Sequence, residues 1–121
     1  MPFLSELTLR PTDGNKWQLL DHLVYETTDD RFVVVPPNFQ TDLASIPRPL
    51  RLFYPVHDRH TRAAVLHDFL YCTQHIQGVA ITRKEADQIF YQAMRELGVR
   101  WSKAKTIYYA VRAGGYFAWK N

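Results

Sequence analysis

The 121-residue chain has a single cysteine, Cys72. An internal disulfide framework is therefore excluded, and the fold has to rest on its core. No apolar run approaches the ~18 residues that a membrane-spanning helix needs. The opening Met1-Pro2-Phe3-Leu4-Ser5-Glu6 has neither the basic nor the apolar stretch of a secretory signal. Glycine is scarce, at 5 residues, and no phosphate-cradling loop or nucleophile elbow is present. Repeats, low-complexity tracts and interdomain linkers are also missing, which excludes a solenoid and a disordered tail. What the chain does have is 46% hydrophobic, 22% charged and 14% aromatic residues. That composition suits one globular domain.

The net charge of +3 is unevenly spread. Residues 1–94 hold nine Lys/Arg against eleven Asp/Glu, and residues 95–121 hold six against one. The basic end interleaves Trp101, Tyr108, Tyr109, Tyr116, Phe117 and Trp119 with Lys103, Lys105, Arg112 and Lys120. Its plainest reading is aromatics on the core and cations in water. A bilayer interface, a nucleic-acid platform and a protein contact are the other readings.

Residues 1–37 read as β structure. Leu4–Thr8 is a strand candidate. Leu23–Thr27 and Phe32–Val35 flank Thr28-Asp29-Asp30-Arg31 as a hairpin, and Pro36-Pro37 ends it. Residues 38–56 read as a long ordered proline-rich loop, a length that points to function. Residues 57–121 read as helical. A first helix is expected over Arg59–Thr73 with Asp58 as its N-cap. It is apolar nearly all round and therefore buried. A second is expected from the capping box Thr82-x-x-Glu85 to Leu97, stopping at Gly98. A third runs from about Ser102 to Gly114-Gly115. The expected fold is α+β: an N-terminal β-hairpin or small antiparallel sheet packed on a three-helix core.

The chemistry centres on His67-Asp68 in the first helix. At 100° per residue, Ala63, Ala64, Leu70 and Tyr71 lie within about 60° of His67, so its ring points into the core. Asp87 sits at the edge of the apolar stripe of the second helix, beside Phe90 and Met94. If the helices pack, Asp87 reaches the far ring nitrogen, fixes the tautomer and raises the basicity of the free nitrogen. Asp68 and Asp42, with loop carbonyls, form the oxygen set that Ca²⁺ prefers. The plainer alternative is a structural His–Asp pair with Asp42 capping a turn. Geometry argues against zinc at His57-x-x-His60 … Cys72-x-x-His75 unless the helix breaks. There His60 and Cys72 would stand about 18 Å apart on one helix.

Three segments, Thr41-Asp42-Leu43-Ala44-Ser45-Ile46-Pro47-Arg48, Ala64–Tyr71 and Ala86-Asp87, resemble a family of small uncharacterised phage and prophage proteins, a domain of unknown function. The resemblance covers about residues 30–118. More distantly, His67-Asp68-Phe69-Leu70-Tyr71 is similar to the His-Asp-Phe-Gly-Tyr core of bacterial and fungal secreted phospholipase A2. Asp87, Phe90 and Met94 share the spacing of that family's next helix. Asp42-Leu43-Ala44-Ser45 resembles its Asp-Gly-Cys-Ser calcium loop, with Leu43 where that loop has Gly.

This resemblance implies that His67 is the general base and Asp87 its orienting acid. It implies that Asp42, the Leu43 carbonyl and Asp68 hold Ca²⁺, and that Tyr71 supports the network, with Ser45 and Arg48 as supporting residues. The implied function is a phage-derived, Ca²⁺-dependent, phospholipase-A2-like hydrolase. Its substrate would be a lipid or anionic ester, and its place host cytoplasm or virion. The alternative is a non-enzymatic virion or host-interaction protein contacting its partner through the basic aromatic C-terminus. Neither a nucleic-acid partner nor a transmembrane segment is expected.

Overall fold

The computed structural model describes residues 3–4, 8–11, 17–41, 61–115 and 119. The fold is α+β, with small antiparallel sheets followed by three helices. Strands β1 (Leu9–Pro11), β2 (Trp17–Leu19) and β5 (Gln40–Thr41) form one sheet in the order β1-β2-β5. Strands β3 (Leu23–Glu26) and β4 (Phe32–Val35) form the expected hairpin, in the register Leu23↔Val35 and Tyr25↔Val33. Those four side chains are buried, while Phe32 and Val34 face outward. This is the period-2 alternation of a sheet wet on one face. Asp30 closes the turn at φ 68°, a conformation that Asp tolerates better than most residues.

Three sequence expectations shift. Of the strand placed at Leu4–Thr8, the described ends, Leu4 and Thr8, are not in a strand, and residues 5–7 lie outside the described residues. Phe3 instead bridges to Tyr25, with ring centroids 4.7 Å apart, and the regular strand begins at Leu9. Within the stretch read as a loop, Gln40 and Thr41 extend the three-stranded sheet by pairing with Gln18 and Trp17. The rest of that loop is outside the described residues. Between the first two helices, β6 (His75–Ile76) and β7 (Val79–Ala80) form a second hairpin. Its central residues, Gln77 and Gly78, have φ of 51° and 80°, the primed-turn geometry that matches strand twist.

The helices fall close to expectation. α1 spans Thr61–Thr73, α2 Arg83–Glu96 and α3 Trp101–Gly114. Asp58 and Arg59 lie outside the described residues. Thr82 caps α2 by accepting a bond from the Glu85 amide at 3.1 Å. The Glu85 carboxylate turns instead to Arg31, 2.7 Å away, and ties the hairpin to α2. Helix α2 lies between α1 and α3, and α1 also touches β3, β4 and β5. The core runs from Leu19, Leu23 and Val35 through Val65, Leu66 and Leu70 to Phe90, Met94 and Ile107. His67 and Asp87 are fully buried within it.

Candidate functional site

Each helix contributes a side chain to one buried polar cluster. On α1, the apolar surround turns His67 inward and places Tyr71 one turn later on the same face. On α2, Asp87 sits three residues before Phe90. The His67 ring stacks on that of Phe90, with centroids 4.3 Å apart and planes at 21°. Nε2 of His67 lies 2.7 Å from Oδ1 of Asp87. An ionised carboxylate only accepts hydrogen bonds, so Nε2 carries the hydrogen and donates it. In the neutral ring this leaves Nδ1 as a lone-pair acceptor. Nδ1 is buried and has no hydrogen-bond partner among the described residues.

Asp87 collects further donors. The Tyr71 hydroxyl donates to the same Oδ1 at 2.5 Å. The other oxygen, Oδ2, accepts from Arg112 of α3 at 2.9 Å and more weakly from Arg83 of α2 at 3.5 Å. Arg83 chiefly serves the end of α3, donating to the Val111 and Arg112 carbonyls, each at 3.1 Å. Carbonyls in the last turn of a helix run short of intrahelical donors; Val111 also accepts from the Gly115 amide, and the guanidinium adds a donor to each of the two carbonyls while touching Asp87 as well. Gly115 completes the wall: a Cβ there would stand 2.5 Å from the Tyr71 hydroxyl and 3.2 Å from Arg83. Only glycine permits that approach. Trp119 meets the Tyr71 ring edge-on at 5.2 Å.

These contacts decide the charge states. Burial pushes the Asp87 carboxyl up, but the donors His67, Tyr71 and Arg112 outweigh it and hold the group below the ordinary carboxylate value. Burial first, and then the bond to Asp87 and its charge, pushes the Tyr71 phenol well above its usual range. The cluster is thus an ionised carboxylate in a buried core, compensated from three helices.

Of the residues singled out in the sequence, the structure brings His67, Asp87 and Tyr71 together. Asp68 is on α1 and half-buried. Asp42, Leu43, Ser45 and Arg48 lie outside the described residues, as do His57 and His60. Among the described residues no three His, Cys, Asp or Glu side chains are grouped to hold a metal. Asp68 is therefore the one described member of the expected Ca²⁺ set, and by themselves the described residues do not make up a cation site.

Sequence reasoning did not single out Arg83, Arg112 or Gly115 for this cluster. Arg83 had a signal, its i,i+4 spacing to Asp87. Arg112 had been grouped with the cations of the basic end, yet it turns inward to Asp87. The aromatic end is also mixed. Tyr108 packs edge-on against Tyr91 at 5.8 Å, whereas Trp101 and Tyr109 are 59% and 61% exposed. Lys105 lies over both exposed rings, 5.6 and 6.0 Å from their centres.

None of the helices among the described residues is long and apolar enough to cross a membrane. An uncharacterised protein of Sinorhizobium fredii, y4iH, is 44% identical to this chain over 78 residues. The match covers 63% of this chain and 30% of that relative's length. No solved structure matches the chain. A family model described as a protein of unknown function (DUF1353) matches residues 17–111. That span takes in both strands of the β3–β4 hairpin together with His67, Tyr71, Arg83 and Asp87, and the chain belongs to the DUF1353 family.

Proposed function

We propose that this chain is a phage-derived hydrolase of esters, similar in chemistry to phospholipase A2, in which His67 draws a proton from water. The observation that supports this most is the split between the two ring nitrogens. Nε2 is committed to Asp87 at 2.7 Å, while Nδ1 is left without a partner among the described residues. A general base needs that arrangement: one nitrogen held by an acid that steadies the imidazolium, the other bare. Tyr71, Arg112 and Arg83 keep Asp87 ionised and aimed at the ring. Ca²⁺ held by Asp68 with Asp42 and the Leu43 carbonyl would polarise an ester or phosphoester oxygen. Ser45 and Arg48 belong to the same proposed loop. The substrate in this reading is a lipid or other anionic ester, met in host cytoplasm or virion.

One observation favours a second reading. His67 and Asp87 have no exposed surface, which suits a structural cluster in a virion or host-interaction protein. The partner would then meet the exposed Trp101 and Tyr109. Two measurements separate the readings. Calorimetric titration should show Ca²⁺ binding that Asp68→Asn largely abolishes, and absence of binding by the wild type removes the metal. A hydrolysis assay on ester lipids should show turnover that His67→Ala loses. Equal turnover in both proteins removes His67 from the chemistry.

A further inference from the structure

A second recess opens on the other side of α2. Its volume is about 540 Å³, inside the roughly 300–1,000 Å³ range of small-molecule sites. At about 100° per residue, Glu85, Gln88 and Gln92 point 100° or more away from Asp87 around α2, while Tyr91, which also lines the cleft, stands one turn beyond Asp87. The cleft is therefore separate from the His67 cluster and does not depend on its chemistry. The β3–β4 turn lines it through Thr28, Asp29 and Arg31, and α3 lines it through Lys105 and Tyr108.

That turn is held in place before any ligand arrives. Thr27 Oγ1 accepts from the Arg31 amide at 2.9 Å and donates to Asp29 at 2.5 Å. Arg31 then bonds Asp29 at 2.9 Å and Glu85 at 2.7 Å, fastening the turn to α2. A cleft with fixed walls spends little free energy on ordering when it binds.

The lining selects the ligand by elimination. A cation finds both carboxylates, Asp29 and Glu85, already engaged by Arg31. An apolar molecule would leave the Gln88 and Gln92 amides and the Thr28 hydroxyl, all on exposed residues, unused. A multiply charged anion meets two carboxylates and, among the described lining residues, one cation outside a described ion pair. That cation is Lys105, whose described contacts are the Trp101 and Tyr109 rings. What fits is one negative charge for Lys105, hydroxyls that both donate and accept for the amides, and a ring to lie against Tyr91 and Tyr108. The ring pair stands 5.8 Å apart in an edge-to-face arrangement, and both rings line the cleft. We propose that this cleft binds a small sugar acid, a hydroxylated ring bearing a single carboxylate.

The test is titration of the ¹⁵N-labelled chain with three probes: glucose, glucuronate and glucose 6-phosphate. Glucuronate should shift the side-chain amide signals of Gln88 and Gln92 saturably, in the millimolar range. Glucose should bind about tenfold more weakly, the worth of one partly solvated charge contact. Lys105→Gln should bring glucuronate down to the level of glucose, and Gln92→Ala should weaken both sugars. Spectral dispersion reports that each variant is folded. The proposal is overturned if glucuronate gives no saturable shift, if Lys105→Gln leaves its affinity unchanged, or if the dianionic phosphate binds more tightly.

Discussion

Replacing Asp87 by Asn tests the whole buried cluster with a side chain of nearly the same volume. The carboxylate accepts from His67 and Tyr71 on one oxygen and from Arg112 and Arg83 on the other. An amide cannot serve both sides. With its oxygen toward His67 and Tyr71, its NH₂ faces the Arg112 guanidinium. Reversed, the NH₂ faces the Nε2 hydrogen and the Tyr71 hydroxyl. Removing one partner of a buried charged group costs about 3–5 kcal/mol. Arg83 and Arg112 are 20% and 30% exposed and regain some hydration, so the loss falls near the lower end, about 3 kcal/mol. For a domain of this length that lowers Tm by roughly 10 °C. Urea unfolding followed by tryptophan fluorescence measures it, with an unchanged m-value showing that the same surface is exposed. A loss below about 1 kcal/mol would mean that the donors are already served by solvent and that the buried, ionised carboxylate is a wrong description.

Two glycines that follow each other in sequence should behave oppositely. Gly115→Ala drives a methyl to 2.5 Å from the Tyr71 hydroxyl and should cost about 1–3 kcal/mol as overpacking. Gly114→Ala meets nothing within 4 Å and should be neutral or stabilising by up to about 1 kcal/mol in thermal melts. The pH dependence should break at both ends. Because the folded state holds the Asp87 carboxyl low, its contribution is present above the unfolded carboxylate pKa and is lost as pH falls through the folded one. The stability gap between wild type and Asp87→Asn should accordingly shrink below about pH 4. The Tyr71 phenol is raised, so its contribution is present below the unfolded phenol pKa and lost above it. Urea unfolding should show the wild type weakening past about pH 10, and Tyr71→Phe should flatten that slope. Tyr25, pushed up by burial and by Glu96, supplies the alkaline slope that remains.

The parts of the fold legible in sequence were those governed by local chemistry. The capping threonine of α2, the glycines that end α2 and α3, and the alternation across β3 and β4 each act within a few residues. The parts missed depend on distant partners. Strands β1, β2 and β5 are two or three residues long, too short to show a period. The β6–β7 turn uses Gln-Gly, where the usual signal is Asn-Gly or Asp-Gly. The same division runs through the site. His67 and Asp87 could be paired because both lie on or beside apolar stripes, and the chemistry of a buried imidazole demands an acceptor. Arg112 could not, because helical periodicity alone does not tell an arginine in water from one folded back onto a neighbouring helix. Its long stem lets it do either.

What separates a catalytic from a structural cluster here is the occupant of one lone pair. Two apolar residues of similar volume at positions 67 and 87 would pack α1 against α2 at no electrostatic cost. The polar version burdens the fold with a desolvated carboxylate and, among the described residues, an unmatched Nδ1. A buried acceptor left unmatched costs about 1–3 kcal/mol. Histidines buried for stability satisfy both nitrogens as a rule. Since Asp87 fixes the hydrogen on Nε2, Nδ1 of the neutral ring can only receive a hydrogen bond, so whatever meets it must be a donor. A protein hydroxyl or amide in that place would make His67 a strut. A water molecule there would already be the nucleophile, held at the atom that removes its proton.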